Sequence, residues 1–118
     1  MSRRPVPIHE VNVKEGMPPI EEALRRLEAA LRAARAERRV ALRVIHGYGS
    51  HGVGGDLRIA VQGRLRQLQQ GGELREVIFG EDWRIGEEAA WKLLGRFPEW
   101  KQDRDLGRGN KGISIVIL

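Results

Sequence analysis

A run of closely spaced glycines separates an aliphatic segment from an amphipathic one in the stretch LRVIHGYGSHGVGGD, residues 42–56. Leu42, Val44 and Ile45 are strand-forming residues, whereas the glycines at positions 47, 49, 52, 54 and 55 favour a loop. From Asp56 onward the pattern predicts a helix. α/β proteins usually bind ligands in a loop between the carboxyl end of a strand and a helix. Because such a loop presents free N–H groups and the positive end of a helix dipole, it favours an anion, most often a phosphate.

Two strands and a helix are predicted before this loop. Val11 and Val13 alternate with polar residues over residues 10–14, which indicates a half-buried strand ended by Gly16 and the prolines that follow it. A helix begins at residue 20, and its apolar positions are Ile20, Leu24, Leu27 and Leu31. Residues 40–45 form the second strand. A strand, a helix and a strand over this length predict a parallel, right-handed crossover.

After the loop the chain predicts a second helix, two further strands and an insert. The second helix ends at the glycine pair 71–72, and its inward positions are Leu57, Val61, Leu65 and Leu68. Residues 76–79 and 113–118 form the last strands, and the aliphatic final run is typical of a strand at the centre of a sheet. The insert, residues 80–110, contains a helix near residues 87–94. We therefore expect one domain over residues 8–118, preceded by a loose basic arm at residues 1–7.

The composition of the chain favours a polyanionic partner. The formal net charge is +5, and 17 of the 21 basic residues are arginine, whose guanidinium suits bidentate phosphate contacts. This indicates nucleic acid, although an arginine-rich solvated surface explains the charge about as well. The chain has no cysteine, which excludes disulfides and thiolate chemistry. Since it has no signal-peptide pattern and no apolar run of membrane-spanning length, we expect a cytoplasmic protein with no membrane partner.

Three segments resemble motifs of the Smr (small MutS-related) domain family. IHGYG at residues 45–49, with the glycines after it and Leu57-Arg58, resembles the family's His-Gly-x-Gly signature. EEAL at residues 21–24 fits the family's opening helix, and GNKGISIV at residues 109–116 resembles its closing Gly-x-x-Gly-x-Thr strand. The resemblance implies an α/β fold, a β-α-β-α-β-β two-layer sandwich similar to the C-terminal domain of initiation factor three. Its mixed four-stranded sheet would include an antiparallel last strand, with the helical insert before it.

The resemblance also implies DNA or RNA binding and, for several members, endonuclease activity, including nicking. The chain departs from the family in the first strand, where many members have an acidic residue and a histidine. Asn12 stands at the acidic position and Lys14 at the histidine position. Asn12 cannot act as a general base, and Lys14 is a cation unless burial strongly lowers its pKa. The pair therefore suits phosphate binding better than proton transfer, so cleavage would be weakened or altered.

His46 is the candidate catalytic residue, because an unperturbed imidazole titrates near neutrality and can act as acid or base. The alternative is a structural loop residue whose ring bonds the backbone. Nearby titratable residues match no metal-ligand spacing; they are Glu10, Glu15, His51 and Asp56. No cofactor is assigned, although a divalent cation such as magnesium could assist hydrolysis. The residues expected to bind nucleic acid are Lys14, His46, Gly47, Tyr48, Gly49, Arg58, Arg108 and Lys111.

An alternative function is a non-catalytic protein-interaction module that uses the insert. All three tryptophans, Trp83, Trp91 and Trp100, fall within the insert. They could stack on bases, anchor the insert to the core or dock a protein partner. Salt dependence separates the functions, because phosphate contacts weaken steeply with salt whereas a tryptophan-based interface should change little. The sequence does not fix the oligomeric state.

Overall fold

The computed structural model describes residues 4–49 and 53–118. His51 and Gly52, singled out above, and the first three residues of the arm lie outside the described residues. The strands are β1 (Ile8–Asn12), β2 (Ala41–Ile45), β3 (Glu76–Phe79) and β4 (Ile113–Ile117). The helices are α1 (Ile20–Ala36), α2 (Val53–Gln70) and α3 (Glu88–Arg96), and two short 3-10 segments, Gly80–Asp82 and Pro98–Gln102, flank α3.

The strands form one mixed sheet in the order β1-β2-β4-β3. β1 and β2 are parallel, with Ile8 opposite Ala41, and α1 connects them. β4 runs antiparallel to both of its neighbours, β2 and β3. All five residues of β4 are buried, which agrees with its aliphatic sequence and its central place. The predicted element order, the mixed four-stranded sheet and the antiparallel last strand are confirmed.

The sheet is covered on both faces. On one face α1 and α2 pack their apolar stripes against the strands, and the fully buried members are Val13, Ala23, Leu27, Leu31, Val44, Val61, Leu65 and Val116. On the other face the insert packs over the sheet, with Trp83, Leu94 and Trp100 near Ile78 and Ile115. The two-layer sandwich is therefore present, and the insert adds a cover to its second face. Among the described residues, no helix is both long and apolar enough to cross a membrane.

The buried side chain of Arg43 in β2 ties the insert to the sheet. Its guanidinium donates to Glu10 Oε1 at 3.1 Å, forms an ion pair with Asp103, and lies 3.1 Å from Asp105 Oδ2. Asp103 also accepts a hydrogen bond from Trp83 Nε1 at 3.0 Å. Because an uncompensated charge at a buried position is strongly unfavourable, this cluster fixes residues 103–105 and the segment that leads into β4.

Two element boundaries differ from the sequence prediction. β1 runs from Ile8 to Asn12 rather than over residues 10–14, since Asn12 Oδ1 accepts the N–H of Lys14 at 3.0 Å and starts a turn there. α2 begins at Val53 rather than Asp56. A Cβ added at Gly55 would lie 3.7 Å from Gly49 O, an ordinary van der Waals distance, so the first turn of α2 lies close to the preceding loop.

The arm is held in place at Val6. Its N–H donates to Glu99 Oε2 at 2.6 Å, and its carbonyl accepts the indole N–H of Trp100 at 2.7 Å. The loose arm expected for residues 1–7 therefore does not extend to Val6. The reason lies in the insert, whose second 3-10 segment supplies both partners from positions more than 90 residues away in the sequence.

Candidate nucleic-acid interface

Three loops meet where β1 and β2 end and β4 begins. They are residues 13–19, 46–49 and 110–112, and we name them together the glycine edge. The N–H groups of His46 and Gly47 both donate to Gly112 O, at 3.0 and 2.9 Å. Gly112 N–H in turn donates to Asn110 Oδ1 at 2.9 Å. The His-Gly-x-Gly segment and the closing Gly-x-x-Gly segment, far apart in sequence, are thus joined directly.

His46 lies at this edge as a buried residue, only 1% exposed. Its Nδ1 is 2.6 Å from Gly47 O, and because a carbonyl only accepts, Nδ1 carries the proton. Its Nε2 then accepts from the hydroxyl of Ser114, 2.9 Å away. Burial lowers the pKa of His46 below its ordinary value of 6.5, which favours this neutral form. Both ring nitrogens are occupied within the fold, which matches the structural reading of His46 and not the acid–base role expected for it.

Lys14 is exposed and lies over the backbone of Gly47. Gly47 has a φ of +68°, a conformation that favours glycine, and a Cβ added there would stand 2.9 Å from Cδ of the flexible Lys14 side chain. Within the described part of the chain, the ammonium of Lys14 has no hydrogen-bond or ion-pair partner. The structure therefore places an uncompensated positive charge against the glycine-rich loop.

The N–H groups of the loop divide into two sets. Those of His46 and Gly47 both donate to Gly112 O. They are therefore not free for a ligand, although free N–H groups were expected throughout the loop. Those of Tyr48 and Gly49 make no hydrogen bond to any described residue, and both residues are exposed. Tyr48 is also accessible to a ligand, since it is 53% exposed. Within residues 46–49, the backbone donors left for a ligand are therefore the N–H groups of Tyr48 and Gly49.

Arg58 is not a free cation, in contrast to the expectation that it contacts phosphate. Its Nη2 lies 2.5 Å from Glu81 Oε2, so it joins α2 to the first 3-10 segment of the insert. This ion pair neutralises the charge of Arg58. The helical pattern of α2 did not indicate it, because the acidic partner lies 23 positions later in the sequence. Arg108 and Lys111, by contrast, are exposed and have no partner among the described residues. Lys111 sits between Asn110 and Gly112, in the glycine edge itself.

Two hollows flank the loop at residues 46–49 and share Lys14, Gly47 and Gly49. One lies between this loop and residues 17–18, and the other is lined by Tyr48, Asn110 and Gly112. Three residues that shape these hollows or bond to the loop were not predicted as site residues from the sequence: Met17, Asn110 and Ser114. Only Ser114 left a signal, as the one polar residue in the aliphatic run of β4. Among the described residues, no group of three His, Asp or Glu side chains is placed to hold a metal ion.

A second concentration of positive charge lies at the other end of the strands. It consists of Arg32, Arg35, Arg38, Arg39 and Arg75, and we name it the arginine end. Arg35 donates to Glu73 O and Arg39 pairs with Glu37. Arg32, Arg38 and Arg75 are exposed and have no partner within residues 4–49 and 53–118. Positive charge therefore occurs at both ends of the molecule, and at the glycine edge it lies beside backbone N–H groups that have no partner among the described residues.

The insert keeps two of its three tryptophans inside the molecule. Trp83 and Trp100 are buried, Trp100 stacks on Phe97 with ring centroids 4.2 Å apart, and the indole N–H groups of both are satisfied. Trp83 and Trp100 therefore anchor the insert to the core, which is one of the roles considered for the tryptophans. Trp91 is 59% exposed. A tryptophan-based docking surface of the kind considered above would therefore rest on Trp91 alone.

These observations define the class of the protein. It is a mixed-sheet α/β domain with a His-Gly-x-Gly loop at the end of β2. The profile of the Smr domain family matches residues 16–80, more than half of the chain. The chain belongs to the Smr domain family.

The fold is also similar to the crystal structure of the Smr domain of Thermus thermophilus MutS2, with a TM-score of 0.57. The two chains share 23% sequence identity, and the match covers 94% of this chain and 98% of that one. A comparison with curated proteins gives no match. At this level of identity the structural similarity establishes the fold alone.

Proposed function

We propose that this domain binds DNA or RNA at the glycine edge and holds a backbone phosphate with Lys14 and the N–H groups of Tyr48 and Gly49. The observation that carries the proposal is that the stem of Lys14 packs on Gly47, while its ammonium and the N–H groups of Tyr48 and Gly49 have no partner among the described residues. A lysine and oriented backbone N–H groups together form a common phosphate-binding arrangement. The nucleic-acid binding associated with the Smr family supports the same ligand class.

Two further groups extend this surface. Lys111 and Arg108 precede β4 and carry charges with no partner among the described residues, so they suit neighbouring phosphates of the same strand. The exposed ring of Tyr48 can stack on a base or a sugar. Arg58 is assigned no contact, because Glu81 already neutralises it.

Binding, rather than cleavage through His46, is the activity that the geometry supports best. A general base needs a nitrogen lone pair free to take a proton, and the one lone pair of His46 accepts from Ser114. Asn12 offers no base either, since its Oδ1 accepts from Lys14 N–H. We therefore assign His46 the task of holding the loop in shape. Any phosphodiester cleavage by this chain would use a different base.

The test is a set of fluorescence-anisotropy titrations with single- and double-stranded DNA and RNA at two salt concentrations. Lys14→Gln should weaken binding about five- to tenfold at low salt and lower the slope of log K against log salt by about 1, as expected for one lost phosphate contact. Lys101→Gln is the matched control, because it removes an equally exposed lysine from the insert. Equal effects of the two substitutions would contradict a phosphate site at Lys14.

A further inference from the structure

A hollow of about 270 Å³ opens between the loop at residues 46–49 and the turn at residues 14–18. Its lining is largely apolar, and it includes Met17, Pro18 and Leu57, with the stem of Lys14 at one side. The volume lies below the range that holds drug-sized ligands, so it suits a smaller, flat group. Lys14 is shared between this hollow and the proposed phosphate site.

Met17 adopts an unfavourable backbone conformation beside this hollow. Its φ is +51°, a region that residues other than glycine, asparagine and aspartate seldom occupy, and its side chain is 84% exposed. The turn is closed by a hydrogen bond from Met17 N–H to Lys14 O at 2.9 Å. The fold thus places a large apolar side chain in solvent at the hollow, in a conformation that stabilises neither the backbone nor the core. Such strain is found mostly at functional positions.

From these observations we infer that the hollow receives one unpaired nucleobase, whose adjoining phosphate contacts Lys14. An apolar hollow next to an uncompensated ammonium matches the two chemical parts of a nucleotide, a flat ring and an anion. The flexible, polarisable thioether of Met17 can cover the face or edge of such a ring. Bases in a duplex are stacked and paired, so only a single-stranded or extruded nucleotide can enter.

This inference rests on the proposed function, and it adds a preference for strands with unpaired nucleotides. It assigns Met17 a role in base binding that phosphate contacts alone do not require. The preference separates the two proposals experimentally. A phosphate site binds any sugar–phosphate backbone, whereas a base pocket discriminates between a strand that carries bases and one that does not.

The experiment compares a short oligothymidylate with a sugar–phosphate strand of equal length and charge that has no bases. We expect the wild-type domain to bind the first about tenfold more tightly, since one stacked base contributes on the order of 1–3 kcal/mol. Met17→Gly should abolish that difference and at the same time raise the melting temperature, because glycine accepts the positive φ without strain. Loss of affinity in a more stable protein cannot come from unfolding. Ile59→Ala is the matched control, as it removes another exposed aliphatic side chain, on α2, away from the hollow.

Three outcomes overturn the inference. If both strands bind equally and Lys14→Gln weakens both, the base pocket is wrong and the phosphate site stands. If neither strand binds, the proposed function fails together with the inference. A Met17→Gly domain that still prefers the base-carrying strand tenfold would also exclude the hollow as the place where the base lies.

Discussion

The imidazole of His46 couples protonation to folding. Burial lowers its pKa in the folded state; the nearby Arg58 acts in the same direction, while the hydrogen bond to Gly47 O and the charge of Glu81 oppose it. The unfolded chain therefore binds a proton below about pH 6.5 that the folded chain resists. It follows that the free energy of unfolding is undiminished above this pH and falls as the pH drops below it, by up to about 1.4 kcal/mol per unit of pKa difference.

This dependence can be measured by urea unfolding at several pH values between about 7.5 and 5, above the range where carboxylates titrate. We expect His46→Gln to flatten the slope, although it lowers stability at every pH. His9→Gln, which leaves the buried imidazole in place, should keep the slope. A slope that persists in His46→Gln would show that the pH dependence comes from another group.

At the residue scale, the sequence predicted where the candidate site residues lie in the fold better than it predicted which groups contact them. The His-Gly-x-Gly pattern located His46 at the end of β2, but its burial depends on Ser114, which lies 68 positions away. The same holds for Arg58, whose partner Glu81 belongs to the insert. Periodicity reports one element at a time, so it could not show which charges the insert neutralises. Lys14 is the opposite case, since no described residue pairs with its ammonium.

At the element scale, the junction between β3 and the insert allows no side chain. A Cβ added at Gly80 would lie 1.8 Å from Asn110 O and 2.8 Å from Ile113 O, both backbone atoms that cannot move without shifting β4. Gly63, in the middle of α2, has open space around it. Gly80→Ala should therefore destabilise the domain by about 3 kcal/mol, whereas Gly63→Ala should stabilise it by about 0.5–1 kcal/mol through helix propensity.

Thermal or chemical unfolding of the two alanine variants checks this prediction with the same substitution at both sites. Opposite signs are the expected result. If Gly80→Ala were as stable as the wild type, the close approach of the Asn110 and Ile113 carbonyls to Gly80 would be wrong. Residues 110–112 would then also be free to move away from the loop at residues 46–49.

The elements themselves were largely predictable from the sequence, and their junctions were not. Alternating and helical patterns predicted every strand and helix, with shifts of a few residues at the boundaries of β1 and α2. At β1 the shift follows from the hydrogen bond of Lys14 N–H to Asn12 Oδ1, which starts a turn. The sequence showed that an insert exists, but not that it covers the second face of the sheet. That cover depends on Arg43, a charged residue in an aliphatic strand, whose partners come from residues 10, 103 and 105.

At the scale of the whole molecule, the positive charge is divided between two ends. Lys14 and Lys111 lie at the glycine edge, and Arg32 and Arg38 lie at the arginine end, all four without partners among the described residues. The net charge of +5 therefore does not by itself say where a polyanion binds. The sequence could not decide between the ends, because the choice rests on which cations the fold leaves uncompensated beside free N–H groups.

The most direct measurement compares two double variants that each remove two positive charges. One is Lys14→Gln with Lys111→Gln, and the other is Arg32→Gln with Arg38→Gln. Titrated with the same single-stranded oligonucleotide at low salt, the lysine pair should lose roughly 30-fold or more in affinity and about 1.4 in salt slope. The arginine pair should lose less than about threefold, the effect of net charge alone. The reverse order, or equal losses in both variants, would contradict binding at the glycine edge.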